Sequence, residues 1–246
     1  MSQFKIYQTF HKPFIRNSTC DWIAPIGVNG YSETGFLSDG SGDNIGALNP
    51  YFCELTAQYW VWKNTSHGSV GFYHYRRYLN FLPDETWNIN AMVQMPATDP
   101  IVSYLSSERQ SEKITQLLTV YDAIIPKKAN LLPSIDSHYR QHMTPEPWDQ
   151  FITTLRTVPA YKDVIDCYVN ELCTAPICNM FIMKRDVFNE YCSEMFPLLT
   201  SIFTLIGKPF NDYNNRYVGF LAERFLGIWL SQRKVSSYEV PLVILE

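Results

Sequence analysis

Apolar and polar positions alternate along Phe4–Phe10 (FKIYQTF), the two-residue period of a strand. His11-Lys12-Pro13 follows, where proline ends the strand and leaves two basic side chains at its C-terminal edge. Residues 17–48 are rich in glycine and small polar residues and read as one long loop, a length usually reserved for functional or mobile segments. The period then changes. Asn49 supplies a helix cap and Pro50 a favoured first position, and Tyr51, Leu55, Tyr59 and Trp62 recur at helical spacing as far as Lys63 and Asn64. Residues 69–75 (SVGFYHY) predict a second strand that runs into His74-Tyr75-Arg76-Arg77.

Residues 84–113 are polar and mixed, with a helix expected near 101–119. A short buried strand follows at 121–126 (YDAIIP), then a helix opened by Ser134 across 134–142, and a helical stretch at 148–173 interrupted at Pro159. Residues 178–183 (CNMFIM) read as a strand and Asp186 to about Ile206 as a helix. The segment 217–230 (YVGFLAERFLGIWL) is apolar on every side, which suits a buried helix and not one lying at a membrane surface; 240–245 is the last strand. Strands alternating with helices indicate an α/β fold, and in open α/β sheets ligands bind beyond the carboxyl ends of the strands. The side chains expected there are His11, Lys12, His74, Arg76 and Arg77.

That run of cations stands out because the chain is acidic overall, with 20 Lys and Arg against 24 Asp and Glu and a net charge of −4. Such a balance argues against wholesale nucleic-acid binding, yet leaves room for one anionic ligand in a local basic pocket. With 246 residues, 46% of them apolar, the chain is long enough for a substantial core. Its 16 Tyr, 15 Phe and 6 Trp serve that core and can also form flat walls for ring-shaped ligands. No apolar run approaches the ~20 residues of a membrane span, and Met1-Ser2-Gln3-Phe4-Lys5 lacks a signal-peptide pattern, so a cytoplasmic location is expected. The six cysteines form no C-x-x-C pair, and Cys173 and Cys178 are poorly spaced for zinc; reduced thiols are expected.

The dinucleotide fingerprint, the P-loop, the G-x-S-x-G elbow and H-E-x-x-H are all missing from the sequence. His138 and His142 would share a helix face and, with Asp136, make a conceivable metal group; two ordinary histidines on a capped helix are the simpler reading. Gly42-Asp43-Asn44 has turn composition. Guanidinium forks match phosphate oxygens, but Arg76 and Arg77 at a strand end would point to opposite faces, so one ligand need not touch both. One in an internal ion pair and the other in solvent is the alternative. Glu223, a carboxylate on a greasy helix, must be paired, exposed or functional.

These segments are similar to a bacterial family long catalogued only as a domain of unknown function and found in capsule, O-antigen and exopolysaccharide gene clusters. The resemblance rests on ordered blocks: Ile6 to Pro13; Gly42-Asp43-Asn44-Ile45; Asn49-Pro50-Tyr51 with Cys53-Glu54-Leu55-Thr56; Tyr59-Trp60-Val61-Trp62-Lys63-Asn64. Later blocks are Val70 to Tyr78, Tyr121 to Lys128, Asn179-Met180-Phe181-Ile182-Met183, and Gly219-Phe220-Leu221-Ala222-Glu223-Arg224. They span residue 6 to about 230 in order.

The resemblance implies a single glycosyltransferase domain over residues 1–246, with a GT-A-like nucleotide-sugar-binding fold: a mixed, mostly parallel sheet flanked by helices. It implies a hexose, in at least one relative galactofuranose, moved from a UDP-sugar to a bacterial surface-glycan acceptor, with inversion expected and, for an inverting reaction, a general base needed for the acceptor hydroxyl. A lipid-linked acceptor and contact with the inner membrane face at its surface only belong to the same expectation. Most GT-A enzymes hold a divalent metal with Asp-x-Asp, a motif this sequence lacks, so cations are expected to replace the metal and no cofactor is assigned. The expected catalytic residues are Glu223, Arg76 and Asp212, with Asp43 a third candidate carboxylate. Donor contacts are expected from His11, Lys12, Asp43, Asn44, Asn49, His74 and Arg77. The rivals are a non-catalytic nucleotide-sugar or glycan-binding module and a metal enzyme built on Asp136, His138 and His142.

Overall fold

The computed structural model describes residues 4–82, 91–210 and 212–246. The polar stretch read at 84–90 and the first three residues lie outside them. Among the described residues a mixed, mostly parallel sheet runs through the molecule. Its main path is β11 (Ser237–Val240), β7 (Ala123–Pro126), β10 (Ile182–Lys184), β4 (Ser69–His74), β1 (Phe4–Phe10), β2 (Ile23–Gly27) and β3 (Leu37–Ser38). Strands β4, β1, β2 and β3 are parallel in sequence, as are β11 and β7; β10 runs against both of its neighbours. A branch carries β5 (Arg77–Leu79), β12 (Leu242–Leu245) and β6 (Met92–Met95). A separate pair joins β8 (Ala129–Asn130) to β9 (Thr174–Ala175).

β1 and β4 are the middle of the sheet, buried on both faces, which is why both read clearly as strands. On one face Tyr7, Val70 and Phe72 join a core built with α2 (Leu55–Asn64), α5 (Ile135–His142), α6 (Pro145–Thr157), α7 (Ile165–Glu171), α8 (Arg185–Ile206) and α9 (Tyr217–Arg233). On the other, Phe4, Ile6 and Tyr73 pack with α3 (Asp99–Leu105), α4 (Glu108–Val120) and β12. Gly71 is needed at the centre, because a Cβ there would meet Ile182 Cγ1 at 2.6 Å. The expected burial of 217–230 holds: over those residues α9 is buried on almost every side, with only Phe220 and Glu223 partly open. No helix among the described residues is long and apolar enough to cross a membrane.

Several boundaries differ from the sequence reading. The long loop contains β2, extended despite Pro25 because it pairs in parallel with β1. The helix expected from Asn49 is two pieces, α1 (Asn49–Phe52) and α2, broken where Cys53 takes φ 52°. Asn49 does not cap it from outside. It lies within α1 and its Nδ2 donates to Cys53 O (2.8 Å) and Thr56 Oγ1 (2.9 Å), bracing the break instead. The helix expected near 101–119 is α3 and α4, divided at Ser106 and Ser107. The strand expected at 178–183 begins only at Ile182, because Cys178 and Asn179 take φ of 72° and 50°. Pro241 divides the last strand into β11 and β12, which join different parts of the sheet.

Candidate active site

Parallel strands β1 and β4 end side by side, in register from Phe4↔Ser69 to Thr9↔His74, so their carboxyl ends open onto one place. There a cavity of about 560 Å³ is lined by Thr9 near the end of β1 and His11 just after it, Asn29 after β2, Asn49 and Glu54 around the α1–α2 break, and His74 to Arg77. Tyr213 and Arg216, on the 3-10 turn before α9, close its far side. A smaller lobe of about 110 Å³ shares Cys53, Glu54, His74, Arg77, Tyr213 and Arg216 with it and adds Cys178, Gly219, Phe220 and Glu223. The backbone is unusual here. Among the described residues five non-glycines have positive φ, and Asn29, Cys53 and Cys178 line these lobes with Asn179 directly beside them. Left-handed backbone at non-glycine positions is costly, and its concentration in a polar cleft marks a site held in shape by its surroundings.

The two arginines are placed by a turn and not by strand alternation. His74 and Arg77 pair across the β4–β5 hairpin with Tyr75 and Arg76 at its tip, so both guanidinium groups reach the same cavity, against the expectation of opposite faces. Arg77 Nη1 donates to His74 Nδ1 at 3.0 Å. Arginine has no acceptor, so that imidazole nitrogen carries no proton. Burial drives the His74 pKa down to about 4, with Arg77 and Arg216 adding to the effect and Glu54 opposing it. This corrects the expectation of His74 as a cation: at neutral pH it is a neutral ring that orients Arg77. Burial together with Lys12, Arg216 and Arg76 likewise lowers the pKa of His11.

Arg216 supplies the positive charge that His74 does not. Its Nε donates to Cys53 Sγ (3.1 Å) and its guanidinium lies over the Tyr213 ring at 5.1 Å. Two carboxylates stand beside these cations. Glu54 Oε1 accepts from Asn179 Nδ2 (2.8 Å), which is also bonded to Gly219 O (3.0 Å). Glu223 Oε1 accepts from Cys178 N (3.1 Å), with Arg224 Nη1 3.4 Å from its other oxygen. Arg224 is only 5% exposed and Glu223 23%. Burial raises the Glu223 pKa; Arg224 and Arg77 pull it down and Glu54 pushes it up further. Gly219 lets α9 approach this point, since a Cβ would sit 3.3 Å from Cys53 Sγ.

His11, Asn49, His74, Arg76 and Arg77 therefore meet in one cavity, with Glu223 in its adjoining lobe. Lys12 is outside the lining, its ammonium 5.2 Å over the Tyr75 ring. Asp43 and Asn44 are also outside it; they build a loop docked on α2, where Asp43 O accepts from Asn64 Nδ2 and Asp43 Oδ1 from Tyr59 Oη. Asp212 is spent capping the 3-10 turn through Asn214 N (2.9 Å) and lines neither lobe. Asp136 is taken up by Arg140 and Trp148 Nε1, while His138 and His142 stack on each other at 4.3 Å. Among the described residues no three His, Cys, Asp or Glu gather to hold a metal. Sequence reasoning missed Glu54, Tyr213 and Arg216. The available signals were a carboxylate at the start of an apolar helix and a cation placed just before the closing one.

Residues 5–234 match the family described as a domain of unknown function, DUF4422. The chain belongs to that family. It is similar to the apo structure of the bifunctional glycosyltransferase WbbM, with a TM-score of 0.86 and 29% identity over 98% of this chain. It spans 45% of the WbbM chain. No curated protein matches it. With that likeness the DUF4422 fold seen here is α/β and GT-A-like, a mixed, mostly parallel sheet flanked by helices.

Proposed function

We propose that this DUF4422 domain is a glycosyltransferase that moves a hexose from a UDP-sugar to a bacterial surface-glycan acceptor. One observation carries the reading: a strand-end cavity lined by three arginines, with the Glu54 and Glu223 carboxylates in its adjoining lobe, on a fold shared with a glycosyltransferase. Arg76, Arg77 and Arg216 suit the donor diphosphate, because forked donors in a partly desolvated cleft neutralise phosphate oxygens. His11 and Asn29 flank them, and Asn49 reaches the cavity although its amide is committed to the helix break.

In the proposed reaction the acceptor oxygen attacks the anomeric carbon as the bond from that carbon to the β-phosphate oxygen breaks, so UDP leaves carrying the electron pair. The acceptor proton passes to Glu223. Burial suits that carboxylate to the task by raising its pKa towards the working range of a general base. Charge developing on the departing diphosphate falls against the fixed guanidinium groups, which stabilise the transition state without reorganising. A divalent cation does not fit this wall, since guanidinium groups repel it. The proposal therefore runs without metal.

The test is thermal stability with nucleotides, because ligand binding to the folded state raises its apparent stability. UDP should raise the melting temperature in a concentration-dependent way and ADP much less. Equal shifts from the two at the same concentration would contradict a uridine donor.

A further inference from the structure

The two lobes share Glu54, Arg77 and Arg216 and differ in what each adds: the larger adds Arg76 with His11, the smaller the Glu223 carboxylate. The smaller lobe therefore balances two guanidinium groups with two carboxylates, whereas the larger keeps an excess of cations that suits a diphosphate. A neutral polyol suits the balanced lobe, because its hydroxyl groups can donate to carboxylate oxygens. At the shared rim stands Tyr213, 61% exposed, a large aromatic ring left open beside a polar cleft. It is nevertheless fixed in orientation. The Phe220 ring packs on it with centroids 5.2 Å apart, and the Arg216 guanidinium lies over it at 5.1 Å. An exposed ring held in place by its neighbours is a ready platform for a flat partner, since covering it recovers apolar area without ordering a loose side chain.

A sugar ring has the matching chemistry, with a face of C–H groups and an edge of hydroxyls. We propose that the lobe bounded by Tyr213, Phe220, Glu54 and Glu223 is the acceptor-sugar subsite, the sugar lying against Tyr213 with its hydroxyl edge toward the carboxylates. Glu54 then binds the acceptor while Glu223 takes its proton, and Asn179, bridging Glu54 and Gly219 O, sets the height of the subsite against α9. This assignment rests on the glycosyltransferase reading, and it makes Tyr213 a specificity-determining residue.

The experiment uses saturation-transfer NMR with methyl hexopyranosides and hexofuranosides on the UDP-loaded protein, and UDP affinity is measured in parallel. Wild type and Tyr213→Phe should both contact a sugar. Tyr213→Ala should weaken that contact about tenfold while UDP affinity stays within about twofold. Glu54→Gln should weaken the same contact, also with UDP affinity kept, which covers the case of a misfolded alanine variant. If Tyr213→Ala loses UDP in parallel, the ring belongs to the nucleotide and the assignment is wrong. If UDP-loaded wild type contacts no sugar in the panel, the subsite is wrong and the donor reading survives. If wild type does not bind UDP, the donor reading fails and takes the subsite with it.

Discussion

Arg77 donates to His74 across the β4–β5 turn, Nη1 to Nδ1 at 3.0 Å, and burial, with Arg77 beside it, keeps His74 a neutral ring that positions the guanidinium. The consequence is measurable. His74→Ala should leave the Arg77 guanidinium loose and lower UDP affinity by about tenfold, the worth of a hydrogen bond to a charged group. Isothermal titration of both proteins at pH 7.5 reads this, and an unchanged affinity would remove His74 from the donor site.

The same histidine makes stability depend on pH. In the folded chain it stays neutral down to about pH 4, whereas in the unfolded chain it takes a proton near 6.5. Between those values the unfolded state binds more protons, so stability falls as pH drops from 6.5 towards 4. Burial lowers the pKa of His11, His67 and His138 too, so the comparison must be between wild type and His74→Gln. The variant should show a shallower loss of urea midpoint across that window.

Glu223 shifts the other way, raised by burial. As a base it works only when deprotonated, so kcat should rise with pH on a limb above the ordinary carboxylate range. Glu223→Gln should lose at least about a hundredfold in kcat, and the residual rate should lose the limb. A retained limb in the variant would assign it to another group, with Glu54 the nearest carboxylate.

Asn49 tests the frame of the site. Its amide satisfies Cys53 O and Thr56 Oγ1 at the break between α1 and α2, and Thr56 Oγ1 in turn donates to buried Asp39 (2.5 Å). Asn49→Ala removes two buried hydrogen bonds and should destabilise the fold by about 1–3 kcal/mol. Urea unfolding measures the change, and a loss of donor binding without loss of stability would give Asn49 a direct ligand role instead.

The legible parts of this chain are those whose signals are local. β1 and β4 announce themselves through apolar side chains on both faces, and α9 through an apolar run that has to be buried. β2 was hidden because Pro25 and Gly27 give it the composition of a turn, and only its pairing with β1 makes it a strand. The break at Cys53 carries neither glycine nor proline; Asn49 reaching back to Cys53 O stabilises it. His74, Arg76 and Arg77 were found because a strand end is a rule about position. Glu54 and Arg216 were not, since their place depends on contacts far along the chain: Glu54 with Asn179, and Arg216 with Cys53. Local pattern also misjudged the pair Arg76 and Arg77, because a hairpin and not a continuing strand sets their directions.

The most direct measurement of the central claim is UDP release from a panel of UDP-hexoses, with and without glycan acceptor, in EDTA and with added Mn²⁺. The account predicts acceptor-dependent release that survives EDTA and falls by about a hundredfold or more in Arg76→Ala, through lost stabilisation of the departing diphosphate. Binding without acceptor-dependent release would make the domain a sugar-nucleotide-binding module. Activity abolished by EDTA and restored by Mn²⁺, or full activity in Arg76→Ala, would contradict the guanidinium-lined donor site.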